Sequence, residues 1–235
     1  MKALFSIVFI LICLHGVSQE IEHRHSLFHS MTENKGQWAE QVLFQSRSQK
    51  HTIWIQQHGF LFDIRDYSNL QKAHVNPASG IESIDYQQTI VAAHFVGSNE
   101  ITTIKKSQPS DHYYNYFIGD DQTKWVGAAY SYHEALLEDF YPNIDLKIFD
   151  DESRFKYELW CKPTSDISGI AIDYKGAEKL RVDEKGNLII TTPLGDMIEQ
   201  APIAYQIYNG KISEVSCAFR LVGNRVQFDL GKYNK

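Results

Sequence analysis

The sequence has no excess of basic charge and no unusual composition. Its 235 residues include 23 lysines and arginines against 29 aspartates and glutamates, which gives a net charge of −6. No run of lysine and arginine is present that would neutralise a phosphate backbone, so nucleic acid is not expected as a partner. Hydrophobic residues make up 43% and charged residues 22% of the chain. These fractions indicate a folded globular protein and argue against a disordered, collagen-like or coiled-coil chain.

Standard catalytic motifs are missing as well. The sequence has no Gly-x-Ser-x-Gly nucleophile elbow, no phosphate-binding glycine loop and no Cys-x-x-Cys pair. His133 and Glu134 begin a zinc-protease pattern, but its second histidine is absent. The acidic residues 150–152 and 183–184 lack the alternating spacing of a calcium loop and are interpreted as solvated hairpin tips. We therefore predict no catalytic residue, no cofactor site, no metal site and no enzymatic activity.

Only one long apolar run is present, and it lies at the N-terminus. After a basic start, residues 3–14 form an apolar stretch that is too short to cross about 30 Å of hydrocarbon as a helix. Gly16 and Ser18 are small residues at the −3 and −1 positions of a cut before Gln19, as a signal peptidase requires. Residues 1–18 are therefore predicted to be a signal peptide. No later segment is long and apolar enough to be a transmembrane anchor, so we expect an exported protein that is secreted or held on the outer cell surface, with the periplasm as an alternative.

Two cysteines remain after the predicted cut. Cys161 and Cys217 each continue an alternating row of apolar residues, so both side chains are expected to point inward if these segments are strands. An oxidising compartment permits a disulfide between them, whereas two buried free thiols are the other common use of such cysteines. The disulfide also requires Cα atoms within about 7 Å of each other. The sequence leaves both alternatives open.

The hydrophobic pattern has a period of two along most of the chain. Apolar residues alternate in 53–55 and again in 60–64, with a turn at 57–59 between them, which predicts a β-hairpin. An Asn-Gly turn at 209–210 indicates another hairpin in the second half. Residues 132–141 also fit helical spacing, so they form either a short helix or an irregular strand. We predict an all-β, mainly antiparallel, sandwich-like fold with little helix, built as one large or two packed β domains.

The predicted organisation has four segments. In chain order they are a signal peptide at 1–18, a flexible N-terminal tail at 19–35, an N-terminal β half at 36–110 and a C-terminal β half at 111–235. The tail carries His23, His25 and His29, three residues of the type that bind transition metals. Nothing in the surrounding sequence would hold the three imidazoles together, so they are interpreted as part of a polar tail.

Aromatic residues are concentrated just after the predicted boundary between the halves. On a strand, Tyr114 and Tyr116 share one face while Tyr113 and Phe117 share the other. One row is expected to lie in the core, and the other is a candidate for exposure. Exposed flat rings stack on sugars or contact a protein partner. Tyr114, Tyr116 and Trp125 are therefore the candidate ligand-binding residues, with burial of both rows between sheets as the alternative.

Six ordered motifs resemble a known family. They are residues 33–38 (ENKGQW) with 41–44 (QVLF), residues 59–63 (GFLFD), residues 115–119 (NYFIG) with 124–125 (KW), residues 141–146 (YPNIDL), residues 192–195 (TPLG) and residues 201–206 (APIAYQ). Over about residues 31–233 the chain resembles an N-terminal β-rich domain of large exported bacterial proteins. Those proteins commonly continue into seven-bladed β-propeller-type (SBBP) repeats or immunoglobulin-like and PKD modules, and often end in a type IX secretion sorting domain of the gliding-motility-associated kind.

The resemblance implies a surface or secreted location, and partners that are downstream repeat modules or other cell-surface proteins. It brings no established catalytic residues. We therefore predict a non-catalytic structural or adhesive module of an exported surface protein. One alternative is a carbohydrate-binding domain that uses Tyr114, Tyr116 and Trp125 and has glycans as partners. The other is a hydrolase or hydrolase-accessory domain with dispersed carboxylates, since β-sandwiches host all three kinds of function.

Overall fold

The computed structural model describes residues 8–16, 30–48, 51–67, 86–151 and 154–234. These residues form eighteen strands and one short 3₁₀ helix, Gln122–Lys124. The strands are β1 (Val8–Gly16), β2 (Met31–Glu33), β3 (Val42–Arg47), β4 (His51–Gln56), β5 (Gly59–Asp66), β6 (Gln87–Phe95), β7 (Ile104–Tyr116), β8 (Val126–Tyr141), β9 (Ile144–Asp151), β10 (Arg154–Cys161), β11 (Ala171–Lys175), β12 (Lys179–Val182), β13 (Leu188–Thr192), β14 (Gly195–Glu199), β15 (Ile203–Tyr208), β16 (Lys211–Val215), β17 (Cys217–Val222) and β18 (Arg225–Leu230). All described strand pairs are antiparallel, so the predicted all-β antiparallel fold class is confirmed.

The first sheet has the strand order β2-β3-β4-β5-β6-β11-β18-β17. Its strands from β2 to β6 are neighbours in sequence, as expected where short connections join antiparallel strands. The pairing of β6 with β11 places Phe95 opposite Ile172 and joins distant parts of the chain. Strands from the predicted segments 36–110 and 111–235 therefore belong to the same sheet.

The second sheet has the order β7-β8-β9-β10-β1-β15-β16. β8 connects the two sheets, because Ser131 and Tyr132 pair with β2 while its later residues pair with β9 on the same edge. β7 occupies the opposite edge of β8. Residues 14–16 of β1 also pair with β14, which begins a small sheet of order β14-β13-β12. β8 and β1 are thus the two strands at which sheets meet.

The two larger sheets face each other across a core of aromatic rings. Phe60 of β5 has its ring centroid 5.1 Å from that of Phe155 and 5.2 Å from that of Tyr157, both on β10. Phe95 of β6 lies 5.1 Å from Phe140 of β8. All five side chains are buried. Because burying one phenylalanine side chain contributes about 1.5–3 kcal/mol, these contacts hold the sheets together and give the predicted sandwich-like arrangement.

The hairpin predicted around residues 57–59 is confirmed. β4 and β5 pair in register from Gln56 opposite Gly59 to His51 opposite Ile64. Gly59 has φ +141°, and a Cβ atom built there would lie 2.1 Å from the carbonyl oxygen of Ala93 on β6. Glycine is therefore required at this position both by backbone conformation and by the close approach of the neighbouring strand.

The ambiguous segment 132–141 is an irregular strand within β8. Side chains up to Leu137 follow the two-residue period of a strand, and the register with β9 then shifts between Leu137 and Tyr141. Asp139 has φ +52° inside this irregularity. Phe140 and Tyr141 are consequently both buried, which imitates helical spacing in the sequence.

Pro109, next to the predicted boundary between the β halves, lies within a strand. β7 continues through it, with an irregular register between Pro109 and Tyr113 and a positive φ of 52° at Gln108. β7 has β8 as its partner among the described strands, and an edge strand of this kind tolerates proline. The boundary placed between residues 110 and 111 falls inside β7.

The predicted tail at residues 19–35 is also corrected at its C-terminal end. Met31–Glu33 form β2, and Met31 and Thr32 are buried. Thr32 and Ser131 share a buried hydroxyl–hydroxyl hydrogen bond of 2.9 Å, which ties the segment to β8. His23, His25 and His29 lie outside the described residues.

Candidate functional site

The β7–β8 pair forms a two-stranded ribbon that carries aromatic side chains. In the described pairings β2 contacts β8 at Ser131 and Tyr132, so the earlier part of β8 has β7 as its partner. Aromatic residues on both faces of this ribbon reach solvent. The exposed members, termed here the aromatic tip, are Tyr113, Tyr114, Phe117, Trp125 and Tyr130.

The expectation that one of the two aromatic rows lies in the core is wrong. Tyr113 and Tyr114, on opposite faces of β7, are 55% and 51% exposed. Phe117, just past the end of the strand, is also exposed. β7 lies at the edge of its sheet, with β8 as its partner among the described strands. Period-two spacing identifies the faces of a strand and carries no information about whether a second sheet covers either face.

The three predicted ligand-binding residues do not form a single surface. The rings of Tyr114 and Tyr116 are neighbours, with centroids 6.4 Å apart. Tyr116 is half-buried, and this burial raises the pKa of its phenol. Trp125 is 40% exposed and packs against Phe117 at 5.6 Å, and its Nε1 donates a 3.0 Å hydrogen bond to the carbonyl of Gly119. The structure therefore brings two of the three residues together and places Trp125 in a separate pair at the end of the ribbon.

Two tryptophans that the sequence reading did not assign to the site extend the Tyr114–Tyr116 pair. Trp38 lies 5.4 Å from Tyr116 and 5.4 Å from Trp54, measured between ring centroids. Trp54, Trp38, Tyr116 and Tyr114 thus form a continuous row of four rings, termed here the aromatic row. Two of the six resemblance motifs, residues 33–38 and residues 115–119, meet in this row. Their order in the sequence carries no signal that they are in contact.

The loop carrying Trp38 is organised by the side chain of Asn34. Its Oδ1 accepts hydrogen bonds from the backbone N–H groups of Gly36 and Trp38, at 3.0 and 3.2 Å. Its Nδ2 donates to the carbonyls of Ala39 and Val42, at 3.0 and 2.8 Å. A single asparagine therefore satisfies both ends of the loop and sets the position of the Trp38 ring.

Charged side chains on either side of Asn34 fasten the loop to the ribbon. Glu33 accepts a 3.1 Å hydrogen bond from the backbone N–H of Tyr130 and pairs with the ammonium of Lys106 at 2.6 Å. Lys35 donates to the carbonyls of Gly127 and Ala128, at 3.4 and 3.3 Å. The aromatic row is consequently pre-organised by hydrogen bonds, which reduces the ordering cost of binding.

The rings of the aromatic row are stepped and do not form one flat platform. The ring planes of Trp38 and Trp54 cross at 89°, those of Trp38 and Tyr116 at 73°, and those of Tyr114 and Tyr116 at 45°. Edge-to-face packing of this kind stabilises the row itself. The exposed ring of Tyr114 and the Phe117–Trp125 pair remain as separate faces for stacking on an apolar or sugar surface.

The carboxylate of Glu199 is the most strongly enclosed acidic group in the described core. Both of its oxygens accept hydrogen bonds from phenols, those of Tyr157 and Tyr174. Burial raises the pKa of Glu199 and also raises the pKa of both tyrosines. A raised carboxylate pKa is a feature of catalytic acids, but this carboxylate is occupied by its tyrosine partners inside the core. Its two hydrogen bonds connect β14 to β10 and β11.

The two cysteines are free thiols in the structure. Cys161 is buried at the end of β10, and Cys217 is half-buried at the start of β17. Burial raises the pKa of each thiol to about 12, so both are unreactive in the folded protein. Cys161 lines a cavity of about 270 Å³ with Lys162 and Tyr233. Among the described residues, no three His, Cys, Asp or Glu side chains lie close enough together to hold a metal ion.

Comparison with known proteins identifies a family and gives no individual relative. In the parts of the chain that the structure describes, no helix is long and apolar enough to cross a membrane. Searches of curated proteins and of solved structures gave no match. Residues 31–235 match a family model with the description "Domain of unknown function (DUF7948)". The match begins at β2 and includes both the aromatic row and the aromatic tip, and the chain therefore belongs to the DUF7948 family.

Proposed function

We propose that this domain is a non-catalytic adhesive module of an exported surface protein, and that the aromatic tip is its contact surface. The observation that carries the proposal is the exposure of five large aromatic side chains on one narrow ribbon. Aromatic side chains are enriched at the contacts that dominate binding energy, and clustered exposed apolar surface usually has a function. The hydrogen-bonded loop at residues 33–38 supports the same reading, because it holds the adjoining rings in place.

A carbohydrate ligand is a second candidate, favoured by Tyr114 and the Phe117–Trp125 pair. An exposed aromatic face stacks on the apolar face of a sugar ring, and a polar neighbour then orients the hydroxyl groups. The stepped arrangement of the aromatic row favours one or two sugar units at a time over a long flat polymer. This candidate specifies the ligand of the proposed adhesive module and requires no catalytic group.

The test is binding of the purified chain to intact cells of the producing organism. Tyr114→Ala combined with Trp125→Ala removes exposed rings at two places on the ribbon, and Tyr208→Ala is the matched control because Tyr208 is 50% exposed on β15. We expect the double variant to lose binding by about tenfold or more while the control binds like the wild type. Equal binding by all three proteins would overturn the assignment of the contact surface.

Two further assays separate the ligand classes and the rival function. A glycan array with the same proteins tests the carbohydrate candidate, and loss of a glycan signal in the double variant would identify the sugar. A broad hydrolase screen tests the non-catalytic part of the proposal. Turnover that disappears when one specific aspartate or glutamate is replaced would establish an enzyme and contradict the proposal.

A further inference from the structure

β1 joins two groups of strands in the second sheet, β7-β8-β9-β10 on one side and β15-β16 on the other. In the described pairings β10 and β15 are each paired with β1 and are not paired with each other. Position 10 of β1, for example, lies opposite Leu159 of β10 on one side and opposite Ala204 of β15 on the other. Residues 14–16 then continue the same strand along β14. Three strands therefore use β1 as their neighbour.

Removal of β1 would leave a space one strand wide. Neighbouring strands lie about 4.8 Å apart, so the space between β10 and β15, termed here the β10–β15 slot, is roughly 10 Å across. Both of its edges would present unpaired backbone N–H and C=O groups. Leu159, Tyr157 and Ala204, which are buried with β1 in place, would form its apolar floor. Such a slot is costly when open, because buried backbone groups and apolar side chains both lose their partners.

The strand that fills the slot lies outside the family domain. The family match begins at residue 31, whereas β1 is Val8–Gly16. The same residues carry the signal-peptide pattern, with a cut expected before Gln19. We propose that in the exported chain the β10–β15 slot accepts an apolar strand from a partner protein, in the position that β1 holds here. This inference rests on the export part of the proposed function and not on the aromatic tip.

The register of β1 specifies the chemistry of the incoming strand. Positions 8, 10 and 12 lie opposite Cys161, Leu159 and Tyr157, whose side chains are buried in the core. The incoming strand must therefore be apolar at three alternate positions, since directly opposed residues share a face of the sheet. The intervening positions lie opposite Trp160, Glu158 and Lys156, which point away from the core. Polar residues are tolerated at those intervening positions.

A second observation comes from the end of the slot next to position 8. Gln206 of β15 pairs with that position, and its side chain is buried. Its Oε1 accepts a 3.0 Å hydrogen bond from the backbone N–H of Asn234, but its Nε2 has no hydrogen-bond partner. An unpaired buried donor costs about 1–3 kcal/mol, and a carbonyl of an incoming chain is the acceptor that would satisfy it. The donor is unpaired with β1 in the slot, so a partner strand that fits better must supply an acceptor there that β1 does not.

Two soluble peptides test the predicted pattern. The first has the sequence of residues 8–16 with Phe9→Thr, Leu11→Lys and Cys13→Glu, which keeps the apolar positions and places Lys opposite Glu158 and Glu opposite Lys156. The second has the same composition with the two alternating sets exchanged. Because a one-residue register change moves every side chain to the other face, the second peptide presents its apolar residues to the floor only after slipping by one residue, which unpairs one end and removes its opposite charges from Glu158 and Lys156.

The experiment compares two forms of the full chain by hydrogen–deuterium exchange. One form is exported and processed, and the other is retained in the cytoplasm with residues 1–18 intact. We expect the segments Arg154–Cys161 and Ile203–Tyr208 to exchange about tenfold faster in the processed form. The first peptide should restore their protection, and the second should not. The proposal is contradicted if both segments are already protected from exchange in the processed monomer without peptide. It is also contradicted if the two peptides have equal effects.

Two controls separate this inference from the proposed function. N-terminal sequencing of the exported chain shows whether residues 1–18 have been removed, and a mature chain that still begins at Met1 overturns export and the open slot together. If the aromatic variants lose cell binding but neither peptide changes the exchange rates, the slot proposal is wrong and the proposed contact surface is unaffected. Light scattering at increasing concentration identifies the remaining occupant, because protection that appears only in a dimer assigns the slot to a second copy of the chain and contradicts the partner strand.

Discussion

Tyr157 donates a 2.6 Å hydrogen bond to Oε1 of Glu199, joining two residues that lie 42 positions apart in the sequence. Tyr174 donates to the other carboxylate oxygen. The three residues lie on β10, β14 and β11, so one buried carboxylate connects both large sheets with the small one. The cluster therefore links three sheets by polar contacts within a largely apolar core.

Glu199 should make the stability of the protein fall as pH rises. Burial raises the pKa of Glu199 above its ordinary value of 4.5, so the folded state holds this proton more tightly than the unfolded state. Below pH 4.5 ionisation of Glu199 carries no penalty, and above it the free energy of unfolding declines by up to about 1.4 kcal/mol per pH unit until the folded pKa is passed. Denaturant unfolding between pH 4 and pH 9 measures this decline.

Glu199→Gln should remove that contribution to the pH dependence. At pH 4 the variant is expected to be less stable by about 1–2 kcal/mol, because the amide nitrogen cannot accept the hydrogen bond of one tyrosine. The difference should narrow or reverse as pH rises, since glutamine does not ionise. Tyr157→Phe is the companion variant and should lower stability while retaining a falling profile. Parallel pH profiles for wild type and Glu199→Gln would contradict the assigned pKa direction.

Alanine substitutions at Gly59 and Gly36 measure how much the close approach of a neighbouring strand adds to the loss of stability. Both have positive φ, +141° and +109°, but a Cβ atom at Gly59 would meet the carbonyl oxygen of Ala93 whereas Gly36 has open space. Gly36→Ala should cost about 1 kcal/mol from backbone strain alone. Gly59→Ala should cost at least ~2 kcal/mol more, because β6 must move away from β5. Equal losses in urea unfolding would show that the β5–β6 contact is looser than the structure has it.

Trp38 should be required to hold the aromatic row together. Its ring packs edge-to-face on both Trp54 and Tyr116, so Trp38→Ala is expected to cost about 1–3 kcal/mol and to expose Tyr116. Exposure would bring the raised pKa of the Tyr116 phenol back toward 10.0. A spectrophotometric titration of the phenol groups follows this change. Trp38→Phe, which keeps an aromatic ring, should preserve most of the wild-type titration, and an unchanged titration in Trp38→Ala would contradict the packing.

Cys161 and Cys217 should both react as free thiols once the protein is unfolded. The structure has no bond between them, and the raised pKa of each thiol, about 12, keeps both unreactive while the protein is folded. Counting thiols in the denatured, unreduced chain that begins at Gln19, and so lacks Cys13, should therefore give two, against almost none in the native state. A count of zero after denaturation would establish the disulfide alternative.

The parts of the fold that follow local rules could be predicted from the sequence. The hairpin around Gly59 and the strand nature of most of the chain depend on alternation and turn residues that lie next to each other in sequence. The character of residues 132–141 could not be decided, because one irregularity at Asp139 makes Phe140 and Tyr141 both face inward. Between the pairs Leu137–Leu146 and Tyr141–Ile144, β8 has two more residues than β9, and an irregularity of this kind has no separate sequence signal.

The candidate site was predicted only in part, because it depends on long-range contacts. Tyr114 and Tyr116 were found from their spacing within one strand. Trp38 lies 78 residues from Tyr116 in the sequence. Its loop is held on the ribbon by a hydrogen bond that Glu33 accepts from Tyr130 and by one that Lys35 donates to Gly127. The Glu199 cluster was missed for the same reason, since its members come from three strands in different sheets.

Hydroxyl-radical footprinting of the chain bound to cells of the producing organism tests the central claim most directly, because it measures which side chains become covered. If the aromatic tip is the contact surface, oxidation of Tyr114, Phe117 and Trp125 should slow several-fold on binding, while oxidation of the equally exposed Tyr208 stays unchanged. Unchanged oxidation of the aromatic tip in the bound protein, or protection centred on Tyr208, would contradict the proposed adhesive surface.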